Sequence, residues 1–205
     1  MDRFFNDHQC ATLDAAMARI IPTDDTSGAS EAGTIEFLDS YLGGLGRIYA
    51  KPDGSGFEQL SGRAAGAWQL RIDRIRAVYL AGIADLDARS VSAFGADFAS
   101  LGPHQQDAIL TDMDLDAKAQ GDAGEEAPLQ KTKAEIDLDF FPLLCLHTRQ
   151  GFYADPIYGG NRNRVGWDTI GFPGPTSLAE VHTGRFSTLK WFAQDQDNDQ
   201  WGDPS

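Results

Sequence analysis

Between residues 63 and 90 this chain holds a helical period longer than anywhere else along its length. Trp68, Ile72, Ile75, Tyr79, Ile83 and Leu86 fall on one face. A stripe of that kind is a core face, and other helices must be laid against it to bury it. The segment therefore predicts a mainly α chain in which the remaining elements supply the covering faces.

Those elements are legible on either side. In "NDHQCATLDAAMARII", residues 6–21, Cys10, Leu13, Met17, Ile20 and Ile21 share one face; Asn6 or Asp7 can cap the first turn and Pro22 ends it. Ile35, Leu38, Leu42, Leu45 and Ile48 continue the pattern, with Gly43, Gly44 and Gly46 marking close packing or an early stop. Pro103 opens another helix, where its missing N–H costs little. Residues 116–134 are polar and low in aromatics and read as a mobile linker. A buried helix is expected near 135–151, kinked at Pro142. Residues 176–194 are ambiguous between short helix and strand, and the acidic end "DQDNDQWGDPS" reads as frayed. At 205 residues, the expectation is a single-domain irregular helical bundle spanning 1–205, with a long Gly/Pro/aromatic-rich C-terminal loop region over 151–205.

With 17 basic against 31 acidic residues, the net charge of −14 disfavours nucleic acid and anionic membrane surfaces. No apolar run reaches the ~18 residues of a spanning helix, and the start "MDRFFNDHQC" shows no export signal. The expected compartment is cytoplasmic, or periplasmic if the chain travels with an exported partner. Cys10 and Cys145 read as reduced core thiols. Several chemical templates fail. "DQDNDQ" and "DMDLDA" lack the glycine and closing glutamate of a calcium loop. "GSGFEQ" lacks the third glycine of a dinucleotide fingerprint. His8/Cys10 and Cys145/His147 make a zinc-type set, but residues two apart on a helix point about 200° apart. His147, ahead of a glycine-rich stretch, is the side chain with most catalytic interest; pinning that stretch by hydrogen bonds is its other reading.

The stretch itself, "GFYADPIYGGNRNRVGWDTIGFPGP" over 151–175, carries five aromatic rings and three prolines among its glycines. Rigid rings anchor interfaces at low entropic cost. They can equally cap the chain's own core beneath a folded-back loop. Here the residues become specific. His147-Thr148-Arg149-Gln150-Gly151-Phe152-Tyr153, Asp155-Pro156-Ile157-Tyr158-Gly159-Gly160-Asn161, Gly166-Trp167 and Gly171-Phe172-Pro173-Gly174 resemble the signature end of the gluconate 2-dehydrogenase subunit 3 family. Residues 4–42 resemble that family's opening helices. The resemblance implies a small helical accessory subunit, without catalytic, cofactor or metal residues of its own. Its implied partner is a large FAD-dependent sugar or polyol dehydrogenase of the glucose–methanol–choline class, with a cytochrome c subunit in some complexes. The expected partner-binding residues are His147, Arg149, Tyr153, Tyr158, Gly159, Gly160, Asn161, Trp167, Phe172 and Pro173, with Tyr158 and Trp167 as main anchors. The alternatives are a helical interaction protein with another client, or a small stand-alone enzyme using His147.

Overall fold

A computed structural model describes residues 3–120 and 134–182. Eight helices appear among them: α1 (Asp7–Ile20), α2 (Ala29–Ala32), α3 (Thr34–Leu42), α4 (Gly62–Phe94), α5 (Pro103–Gln120), α6 (Phe140–Tyr153), α7 (Val165–Thr169) and α8 (Leu178–His182). No strand forms among the described residues; an antiparallel bridge joins Ala50 to Phe57. The mainly α fold is as the periodicity predicts. No described helix is long and apolar enough to cross a membrane.

The helix ends follow local chemistry. Asn6 and Gln9 form a reciprocal capping box at the start of α1, which satisfies two orphan amides. Gly33, at φ 70°, both closes α2 and opens α3. α3 stops at Gly43, so Leu45 and Ile48 lie beyond it, around a 3-10 turn at Leu45–Arg47. The early-stop reading of those glycines therefore holds. Arg76 on α4 donates to the Leu42 carbonyl at 2.8 Å, capping the exposed end of α3.

The stripe on α4 is core as expected: Ile72, Ile75, Tyr79, Ile83 and Leu86 are buried, with Trp68 at its half-buried rim. They pack with Leu13 and Met17 of α1, Leu38 and Leu42 of α3, and Leu143 and Leu144 of α6. α6 is central, touching α1, α2, α3, α4 and α5. A Cβ at Gly82 would collide with the Phe140 ring, so α4 and α6 meet at glycine distance.

Two boundaries differ from expectation. The helix predicted from 135 begins at Phe140, and Glu135–Asp137 forms a separate 3-10 turn. Pro142 thus sits in the first turn, where no i−4 carbonyl awaits its missing N–H, and it need not kink the helix. The linker drawn from 116 begins inside α5, which continues to Gln120; residues 121–133 lie outside the described residues. Within the ambiguous 176–194 stretch, Leu178–His182 is helical, and the remainder and the acidic end lie outside the described residues.

Candidate functional site

Two structures converge on the C-terminal half of α6, and together they hold the residues that the sequence singles out. The first is buried. His147 has no solvent exposure. Its Nδ1 lies 2.8 Å from the Tyr79 hydroxyl, and its Nε2 lies 2.9 Å from Glu135 Oε1. Tyr41 also donates to Glu135 Oε1 at 2.9 Å, and Arg71 pairs with Oε2. Burial, with a smaller contribution from the Arg71 guanidinium, pushes His147 down from 6.5 to about 3. Burial holds Tyr79 well above its ordinary value. The neutral imidazole therefore accepts from Tyr79 at Nδ1 and donates to Glu135 from Nε2. Tyr79 also stacks on the ring at 5.7 Å, and Tyr41 meets it edge-on at 5.5 Å. A sealed, neutral ring with both nitrogens occupied is a poor general base. Its evident work is to tie α3, α4, α6 and the 135–137 turn together through Glu135.

The second structure is the fold-back of residues 154–174 onto the end of α6. A helix leaves its last carbonyls without intrahelical partners. Here the glycine-rich stretch supplies them. Asn161 N donates to the Gly151 carbonyl at 2.8 Å, Asn161 Nδ2 to that of Ala154 at 2.9 Å, and Trp167 Nε1 to that of Tyr153 at 2.9 Å. Asn161 Oδ1 accepts from Gly166 N at 2.9 Å. Asn161 is fully buried and left-handed at φ 47°, a region that asparagine tolerates better than most residues. Gly160 and Gly166 allow the approach. A Cβ on the first would strike the Gly151 carbonyl, and a Cβ on the second that of Phe152.

Each expected partner-binding residue now has a place. His147, Gly160, Asn161 and Trp167 are buried, with Trp167 6% exposed against Phe172 at 5.3 Å. The expected exposure of the Trp167 ring is not seen: its indole N–H is tied to the α6 terminus and its ring packs on Phe172 within the fold-back. Tyr158 is half-buried, its ring 5.7 Å from Phe57 and its hydroxyl accepting from Ala50 N at 3.3 Å. Gly159, at φ 101°, packs over the Glu36 carbonyl. Phe172 is half-buried, whereas Arg149, Tyr153 and Pro173 are exposed. Ile170, 59% exposed and three residues before Pro173, was not singled out. Glu135, Tyr41 and Arg71 were missed too. An isolated carboxylate in an acidic chain gives no sequence signal that it is buried.

Among the described residues no group of three or more His, Cys, Asp or Glu side chains could hold a metal ion. Cys10 and Cys145 are free thiols, each half-buried; burial raises both above the ordinary thiol range. The family model described as gluconate 2-dehydrogenase subunit 3 matches residues 7–174, which takes in both the helical core and the fold-back. Neither the comparison with curated proteins nor that with solved structures finds a match.

Proposed function

Because this chain belongs to the gluconate 2-dehydrogenase subunit 3 family, we propose that it is the accessory subunit of a sugar or polyol dehydrogenase. It binds, stabilises and helps mature a large FAD-dependent subunit of the glucose–methanol–choline class. FAD and the reacting groups belong to that partner, and this chain shares the partner's compartment. The observation that carries the reading is the division of labour within the family-matched C-terminal segment. Its glycines, Asn161 and Trp167 build a rigid fold-back. That frame leaves Arg149, Tyr153, Ile170 and Pro173 exposed around it. A preorganised rim of aromatic, aliphatic and arginine side chains is what a stable docking surface requires.

The test is to express the large subunit from the same source with and without this chain. Soluble, flavin-loaded large subunit should accumulate only in the presence of this chain. Equal yield and flavin content in its absence would remove the maturation role.

A further inference from the structure

An unbroken line of rings runs from the rim of the bundle to its buried centre. Trp68 is half-buried, and its Nε1 donates to the hydroxyl of exposed Tyr49 at 3.2 Å. Its ring meets Tyr41 at 6.5 Å, Tyr41 meets His147 at 5.5 Å, and His147 stacks on Tyr79 at 5.7 Å. Core packing asks that such rings fill space. It does not ask that each phenol along the line be tied to a base, and here both are. Tyr41 donates to Glu135 Oε1 at 2.9 Å. Tyr79 donates to His147 Nδ1 at 2.8 Å, and His147 Nε2 donates on to that same Glu135 oxygen at 2.9 Å.

That pairing has a chemical consequence. Tyrosine and tryptophan are the side chains that give up one electron most readily. A phenol that loses an electron becomes a very strong acid, so its oxidation is easiest where a base takes the proton at once. An imidazole too weak to deprotonate an intact phenol is strong enough for an oxidised one. Trp68 is placed differently. The Arg71 guanidinium stands over its ring at 4.9 Å, and a cation there disfavours positive charge on the indole. An electron vacancy on Trp68 is therefore passed inward rather than held. Tyr79 has no solvent exposure, so a radical on it is shielded from dissolved reductants and from a second radical.

We propose that Tyr79 is a tyrosyl radical site, filled from Trp68 through Tyr41, by which this chain moves oxidising equivalents off its surface into a shielded position. The oxidant is a diffusible one-electron oxidant of the oxygen-radical class. It takes one electron from Trp68 and is reduced. An electron then moves outward from Tyr79 by way of Tyr41 and refills the indole. The Tyr79 O–H bond breaks and its proton forms an N–H bond at His147 Nδ1. In sum Tyr79 has lost one electron, His147 holds the proton, and Trp68 and Tyr41 are as they began. The proposal concerns the isolated chain and does not rest on the accessory-subunit reading.

The test uses the azide radical, made by pulse radiolysis of the full chain in azide solution, which oxidises indoles. Tyrosyl absorption should grow as indolyl absorption decays, at a rate independent of protein concentration. Freeze-quenched samples should carry a tyrosyl electron paramagnetic resonance signal. Trp68 is one of four tryptophans, so loss of more than half the signal in Trp68→Phe marks it as the favoured entry; Tyr41→Phe should show a similar loss. Tyr79→Phe should abolish the long-lived part of the signal, and Tyr49→Phe should leave it. A wild-type chain without a tyrosyl signal would overturn the proposal, as would an equal yield in Trp68→Phe. So would a long-lived signal that survives Tyr79→Phe or disappears with Tyr49→Phe. If Tyr79→Phe does not fold, the Trp68→Phe comparison, made at the half-buried rim, decides.

Discussion

His147 shows how one buried residue sets a pH limit on the whole chain. Its folded-state value lies near 3 against 6.5 for the free side chain. Between these values the unfolded chain takes up a proton that the folded chain refuses, so stability is complete above about 6.5 and is lost as pH falls toward 3. A shift of this size corresponds to a few kcal/mol. Urea unfolding at pH 7 and pH 4 should show a steep loss for the wild type. His147→Phe should be less stable at pH 7, by about 2 kcal/mol, because Glu135 and Tyr79 lose a buried partner. It should also lose less on acidification. An equal pH dependence in the two proteins would mean that His147 is not the group responsible. Asn161 is the second such residue. Its side chain and amide make three hydrogen bonds from a left-handed backbone. Asn161→Ala should lower stability by about 2–3 kcal/mol, read as a lower denaturation midpoint with an unchanged m-value.

At the scale of elements, the question is whether the 151–175 segment serves the chain's own fold or a partner. The structure separates buried from exposed residues within it, and the proposal that the exposed ones serve a partner is testable on one set of variants. Trp167→Ala removes a buried ring and should cost about 3 kcal/mol in the isolated chain. Ile170→Asp and Tyr153→Ala alter exposed side chains. They should leave the melting temperature nearly unchanged and weaken binding of the large subunit at least tenfold. The opposite pattern, with Ile170→Asp unfolding the chain or Trp167→Ala leaving it stable, would reverse the assignment. Helices α1, α3 and α4 were legible in the sequence because a 3.6-residue apolar period and its caps are local properties. The start of α6 was not, because in "EIDLDFF" the apolar residues Ile136, Leu138 and Phe140 alternate with Asp137 and Asp139, either of which could cap a helix, so no single boundary stands out. Glu135 is recruited there by His147 and by Arg71 and Tyr41, the last two from far along the chain. The importance of the glycine-rich motif was legible from its composition. Its internal target, the open carbonyls of α6, was not, because that pairing exists only once helix and loop have met.

For the whole molecule, the described residues form a helical bundle in which the open end of α6 is closed by the fold-back of residues 154–174. The proposed function places FAD in the large partner, so the isolated chain is expected to be colourless; stoichiometric flavin absorbance after purification would contradict that placement. The most direct measurement of the central claim is a titration of the purified large dehydrogenase subunit with this chain, followed by size-exclusion chromatography with flavin absorbance recorded. The account predicts one co-eluting species in which the flavin signal travels with both polypeptides and the large subunit's melting temperature rises. Two separate peaks, with the melting temperature of the large subunit unchanged at saturating amounts of this chain, would contradict it.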